Sequence, residues 1–107
     1  MIDNSITFVE GRLDVAARRQ QTLATNIANM DTPGYKTKDV EFADELSGAA
    51  STRVVEVEGK MKPNGNNVDL EAQMTAMTKN GLQYITLIQY LSQKMKTLRA
   101  SIAESRG

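Results

Sequence analysis

The chain has 107 residues, which is enough for one small domain. Its 13 basic and 13 acidic residues cancel, so bulk charge favours neither nucleic acid nor an anionic membrane as a partner. Neither cysteine nor histidine occurs, which excludes disulfides and thiolate metal sites and removes the commonest general base.

The N-terminal third is predicted to form a helix. Its apolar positions alternate spacings of three and four residues, an a/d heptad pattern that indicates an amphipathic helix with a narrow seam. The seam is weak in its middle, where Ala16 and Gln20 supply little apolar volume. The seam positions are Ile6, Val9, Leu13, Ala16, Gln20, Leu23, Ile27 and Met30.

A sharp turn at Thr32-Pro33-Gly34 is predicted to stop this helix. Proline disfavours the α region for the residue before it, and Pro-Gly suits the two central positions of a type II turn. We expect the turn to direct the following segment away from the helix layer. Two interpretations of Tyr35 stay open: its ring packs on the end of its own helix, or it contacts another subunit.

The middle of the chain is predicted to be extended. It divides into a charged stretch at 36–46 with Val40 and Phe42 as apolar anchors, a small-residue linker at 47–51, a strand at 53–58 and a turn at 63–67. A lone strand has no ladder partner. We therefore expect this region to be loose or completed by a neighbouring chain.

The C-terminal third is predicted to form the stronger helix, beginning near Asn67 or Asp69 and reaching about Glu104. Its seam alternates the same spacings, at Leu70, Met74, Met77, Gly81, Tyr84, Ile88, Leu91, Met95, Leu98 and Ile102. The predicted fold class is mainly α: two long terminal helices in an antiparallel coiled-coil hairpin, with a short irregular or β-containing middle segment. The predicted segments are 1–35, 36–67 and 68–107. Because two helices leave half of each apolar face exposed, we expect self-association or a larger assembly.

Catalytic chemistry is not predicted. The acidic pairs Asp44-Glu45 and Glu56/Glu58 lie in hydrophilic sequence with nothing to desolvate them. The glycines form no phosphate-binding pattern, and no metal-ligand cluster is visible, so no cofactor is expected. The basic residues of both helices lack interleaved aromatic residues, which argues against nucleic acid. The longest apolar run, 84–91, is too short for direct bilayer insertion, and we expect no cleavable secretory signal.

Two motifs carry a family resemblance. Residues 19–36, R-Q-Q-T-L-A-T-N-I-A-N-M-D-T-P-G-Y-K, resemble the L-A-x-N-I-A-N-x-x-T-x-G-Y signature of bacterial flagellar basal-body rod proteins. The D-T-P-G-Y-K ending is more similar to the proximal rod member than to the distal rod and hook members. Residues 66–71, N-N-V-D-L-E, are similar to the N-x-V-D-x-E opening of the family's C-terminal helix. The short middle segment departs from the family and puts a folded outer domain in doubt.

The resemblance implies a non-enzymatic structural subunit of the proximal rod of the bacterial flagellum. Such a subunit is made in the cytoplasm, exported by the flagellar type III apparatus and built into the rod that crosses the periplasm. The implied partners are copies of itself, other rod and basal-body proteins, and the export apparatus. The implied assembly residues are Ile6, Val9, Leu13, Leu23, Asn26, Ile27, Asn29, Thr32, Pro33, Gly34, Tyr35, Leu70, Met74, Met77, Gly81, Tyr84, Ile88, Leu91, Met95, Leu98 and Ile102. The alternative hypothesis is a soluble helical adapter or export chaperone that binds partner helices.

Overall fold

Two long helices and a two-stranded sheet make up the protein. The computed structural model describes residues 4–44 and 50–106. The elements, in chain order, are α1 (Asn4–Ala28), β1 (Lys38–Asp44), β2 (Ala50–Glu56) and α2 (Leu70–Arg106). The helices pack antiparallel and the strands pair antiparallel, which confirms the predicted mainly α fold class with a β-containing middle. The three segments 1–35, 36–67 and 68–107 stay a prediction.

Helix α1 ends at Ala28, ahead of the proline, so the predicted seam position Met30 lies outside the helix. At this point the backbone bonds change spacing. The Met30 amide donates to the carbonyl of Ile27, three residues earlier, at 3.2 Å, whereas an α-helix joins residues four apart. The Asn66 side-chain amide then donates to the carbonyl oxygens of Asn29 and Thr32, at 2.8 Å each. These two carbonyls are satisfied by a distant side chain instead of by a further helical turn.

The turn after α1 has the predicted geometry. The Tyr35 amide donates to the Thr32 carbonyl at 3.2 Å, and Gly34 has a φ of +76°. A positive φ at the third residue is what a type II turn requires. The helix therefore stops a few residues early, but the Pro33-Gly34 turn itself is confirmed.

The expectation that the chain leaves the helix layer after this turn is wrong. Strand β1 runs back along α1: Arg19 Nη2 donates to the Val40 carbonyl at 3.0 Å, and Asn26 Nδ2 donates to the Lys38 carbonyl at 2.7 Å. The Val40 side chain is buried. Apolar burial and two side-chain bonds to its backbone hold β1 against α1.

The expectation that the predicted strand lacks a partner is also wrong. Strand β2 pairs with β1, in a register from Lys38 opposite Glu56 to Asp44 opposite Ala50, and the Arg53 guanidinium binds the Glu41 carboxylate. The alternation of apolar and polar residues that indicates a strand is hard to recognise in β1, K-D-V-E-F-A-D, because so many of its residues are charged. The predicted linker at 47–51 falls partly on 45–49, outside the described residues, and its last two residues belong to β2.

Helix α2 begins as predicted, because the Asp69 carboxylate accepts a hydrogen bond from the Ala72 amide at 3.2 Å and thus caps the helix. The helix has 37 residues against 25 in α1. Asn26 meets Gln73 across the hairpin, and Gln20 meets Asn80. With a rise of about 1.5 Å per residue, this register places Asn4 opposite about Met95. Residues 96–106 continue beyond it for about 16 Å and are called the α2 extension.

The described core is small and runs along the helical hairpin. Its buried apolar residues are Ile6, Val9, Val15, Ala16, Leu23, Val40 and Val68. The molecule is elongated, with principal extents of 69, 27 and 15 Å. Among the described helices, none is long and apolar enough to cross a bilayer.

Candidate assembly surface

The two predicted seams have different surroundings. On α1, Ile6, Val9 and Leu23 are buried and Leu13 and Ile27 are half-buried, so most of this seam is used inside the chain. On α2, four seam positions are half-buried: Met77, Gly81, Leu91 and Leu98. The other six are exposed: Leu70, Met74, Tyr84, Ile88, Met95 and Ile102.

Helix α2 faces α1 with polar residues that lie beside its predicted apolar seam. Gln73 and Asn80, each one residue before a predicted seam position, are only 8% and 3% exposed. Met74, directly after Gln73, is 56% exposed. A shift of one residue rotates the buried face by about 100° around a helix, so the apolar stripe is left beside the hairpin. The exposed apolar surface of the chain therefore lies mainly on α2.

A buried asparagine joins three elements at the turn end of the hairpin. Asn26 is fully buried, and its Nδ2 donates to the Lys38 carbonyl and to Gln73 Oε1, at 2.7 and 2.9 Å. Its Oδ1 accepts from the Lys38 amide at 3.1 Å and from the Tyr35 hydroxyl at 2.9 Å. This amide therefore satisfies its donors and acceptors while it links α1, β1 and α2.

Two further asparagines connect the turn to the start of α2. Asn66, also fully buried, bonds the end of α1 through Nδ2 and the Val68 amide through Oδ1 at 2.8 Å. Asn67 Oδ1 accepts from the Thr37 amide at 2.6 Å, and its Nδ2 donates to the Val57 carbonyl at 2.9 Å. The two motifs that carry the family resemblance are thus in contact. Together with Asn26 and Gln73, these residues form what we call the amide cluster.

The turn residues themselves divide between surface and interior. Thr32, Pro33 and Gly34 are exposed, whereas Tyr35 is half-buried against Asn26 with Lys38 Nζ 5.0 Å from its ring centre. Burial raises the pKa of the Tyr35 hydroxyl above its ordinary value of 10.0. Within the chain, the ring therefore packs on its own helix end, the first of the two interpretations.

The inward-facing amides Gln73 and Asn80 were not predicted as site residues, because polar side chains on a helix are normally solvated. They are seven residues apart, one heptad, which is the only signal of a shared face. Asn66 and Asn67 were interpreted as turn residues, with Asn67 also a candidate start of α2, and nothing in their local pattern indicates the distant carbonyls that they bind.

A groove of about 600 Å³ lies along one side of the hairpin. Its lining is mostly apolar and rich in small residues: Ala16, Ala17, Gln20, Gln21 and Ala24 from α1, and Asn80, Gly81, Tyr84 and Ile85 from α2. We call it the small-residue groove. Gly81 costs α2 about 1 kcal/mol relative to alanine, yet a methyl group built there would meet nothing within 4 Å.

Comparisons with known proteins agree with this architecture. A family described as flagella basal body rod protein matches residues 7–36, which include most of α1 and its turn. The flagellar basal body rod protein FlgB of Escherichia coli (strain K12) is 31% identical over 124 aligned positions, covering 89% of this chain and 90% of the relative. FlgB of Bacillus subtilis (strain 168) is 28% identical, with 92% and 93% covered.

The alignment with the Escherichia coli protein has more positions than this chain has residues, so that relative carries residues which this chain lacks. The similarity nevertheless extends over nearly the whole of both chains, well beyond the matched motif. On the identity and coverage of these relatives, the chain belongs to the family of flagellar basal body rod proteins.

Proposed function

We propose that this chain is a subunit of the proximal flagellar rod that polymerises through α1 and α2. Its family makes it a structural protein of the flagellar basal-body rod. The proposal adds the position in the rod, the surfaces used and the route of export. Its partners would be further copies of the chain and other rod and basal-body proteins.

The observation that carries the proposal is the exposed apolar stripe on α2. Its members include Ile88 at 43%, Met74 at 56% and Ile102 at 47% exposure, in the heptad register of the predicted seam. Removing apolar surface from water favours association by about 25 cal/mol per Å² of buried area. A heptad register suits packing against other helices, so neighbouring subunits are the natural cover for this stripe.

The hairpin holds α2, and with it the apolar stripe, in a defined orientation. Because the amide cluster satisfies its own hydrogen bonds within the chain, it sets the register of α1 against α2 without help from a neighbour. A subunit would then add to the rod with α2 already oriented, and association would bury mainly apolar side chains.

Export by the flagellar type III apparatus is the remaining part of the proposal. A chain that passes through such an apparatus unfolded needs a low free energy of unfolding. The described core is small and the molecule is elongated, which favours a low value. The N-terminal apolar residues Ile6, Phe8 and Val9 are the candidates for an export signal; Ile6 and Val9 are buried in the hairpin and Phe8 is 58% exposed. Recognition of Ile6 and Val9 would therefore precede folding.

The test replaces Ile88 on the exposed stripe with aspartate in the native bacterium. Ile88→Asp should abolish swimming and remove the chain from purified basal bodies, because a buried unpaired charge opposes association. The matched control is Gln89→Asp, which places the same charge on the adjacent exposed residue outside the seam. Circular dichroism of both purified variants should remain helical.

Normal swimming by the Ile88→Asp strain would contradict the proposal. Wild-type chain that stays in the cytoplasmic fraction, and is missing from basal bodies, would instead support the adapter or chaperone.

A further inference from the structure

The small-residue groove combines two features that the single chain does not use: alanines along its α1 wall and a glycine on its α2 wall. Its α1 wall is formed by Ala17, Gln21 and Ala24, and its α2 wall includes Gly81, whose missing side chain leaves open space. The alanines of α1 and Gly81 of α2 leave room for a third helix to approach, and Tyr84 and Ile85 add apolar contact surface on the α2 side. The single chain gains nothing from glycine in the middle of α2.

The floor of the groove contains an unsatisfied oxygen. Asn80 is 3% exposed, and its Nδ2 donates to the Ala16 carbonyl and to Gln20 Oε1, at 2.8 Å each. Its Oδ1 has no hydrogen-bond donor among the described residues. This oxygen is inaccessible from the groove, so Asn80 links the two walls through its Nδ2 and is not itself a docking contact.

The α2 extension has complementary properties. It carries the half-buried Leu98 and the exposed Ile102 on one face. It also continues past the first described residue of α1, which leaves this face without a partner helix from the described part of the chain.

Charge favours the same pairing. The exposed basic residues of the extension, Lys96 and Arg99, outnumber its Glu104. Glu10 and Asp14 continue the α1 wall of the groove at helical spacing, and both are exposed. Asp14 also pairs with Arg18 at 3.5 Å, a solvated contact that an incoming cation can share.

Taking the proposed rod function as its premise, we propose that the α2 extension of a second copy of this chain occupies the small-residue groove. Leu98 and Ile102 pack between the walls, and Lys96 and Arg99 lie beside Glu10 and Asp14. The two surfaces lie on different parts of α2, so the contact is heterologous. Repeated from copy to copy, a heterologous contact forms a ring or an open helical array, so it links more than two copies.

Because the chain has no cysteine, cross-linking tests the contact directly. The double variant Ala17→Cys/Ile102→Cys is expressed in the native bacterium, basal bodies are purified and oxidised, and products are separated without reductant. The expected result is a ladder of dimers, trimers and longer products. The matched control is Lys79→Cys/Ile102→Cys, in which the first cysteine lies on the opposite side of α2 and should give no ladder.

Three results would overturn the inference while leaving the rod function intact: no cross-link although the chain is present in basal bodies, dimers alone, or a cross-link from position 17 to a different protein. Absence of the wild-type chain from basal bodies would overturn the rod function, and the inference with it.

A second variant covers the case in which the double-cysteine chain does not assemble. Gly81→Met fills the groove, and its Cβ would meet nothing within 4 Å in the single chain. It should leave the urea midpoint of the purified chain equal or higher and should abolish swimming, whereas Lys79→Met should swim normally. Normal swimming by the Gly81→Met strain would overturn the inference.

Discussion

The turn end and the α2 side of the hairpin are stabilised in different ways. At the turn end, buried amides such as Asn26 and Asn66 find their partners within the chain. Along α2, residues such as Ile88 and Ile102 keep much of their apolar surface in water. The first region specifies one arrangement of the helices, and the second is the surface that we propose neighbouring subunits cover. On that proposal, folding and assembly depend on separate residues of the same hairpin.

The largest expected effect is at Asn26. Asn26→Ala removes four hydrogen bonds at a fully buried position and strands the Lys38 carbonyl and Gln73 Oε1. We expect a loss of about 3 kcal/mol in the free energy of unfolding, since each unsatisfied buried group costs about 1–3 kcal/mol. Urea denaturation of the purified chain measures it. An equal loss in the free energy of unfolding for Ile88→Ala would contradict the contrast between the turn end and α2.

The next effect concerns the glycines that meet at the turn. Gly34→Ala should cost about 1–2 kcal/mol because φ is +76°, although a methyl group there has open space. Gly65→Ala should cost a similar amount, because its φ is +83° and the added carbon would lie 3.4 Å from the Gly34 Cα, an ordinary contact distance. Urea denaturation of both variants measures the cost, and an unchanged free energy of unfolding in either variant would contradict the described turn.

The smallest effect is the pH dependence of Tyr35. Its pKa is raised by burial, so the folded chain favours the neutral hydroxyl that donates to Asn26 Oδ1. This contribution to stability is complete below the ordinary pKa of 10.0 and is lost as pH rises through the folded value. Tyr35→Phe should therefore show a smaller decline in urea midpoint above pH 10 than the wild-type chain.

Helix positions and the Pro33-Gly34 turn are predictable from the sequence, because heptad spacing and turn chemistry act over a few residues. Strand β1 is not, since its alternation is hidden among Lys38, Asp39 and Glu41. The inward direction of Gln73 and Asn80 is equally hidden. A polar residue on a helix is buried only when distant partners satisfy it, and those partners are visible only in the fold.

The α2 stripe predicted for assembly is present on the surface, whereas much of the α1 stripe is not. Ile6, Val9 and Leu23 follow the same heptad pattern as Ile88 and Ile102, but they are buried within the chain. Heptad periodicity identifies an apolar helix face that is expected to pack against another helix. It does not distinguish a partner in the same chain from one in the next.

The most direct test of this division is the accessibility of Ile88→Cys, the sole cysteine in such a chain. A thiol reagent should label it rapidly in the dilute purified chain and at least tenfold more slowly in isolated basal bodies. Dissolving the labelled basal bodies in denaturant should restore full reactivity and show that the chain was present. Equal labelling in the dilute chain and in basal bodies would contradict the claim that neighbouring subunits cover α2.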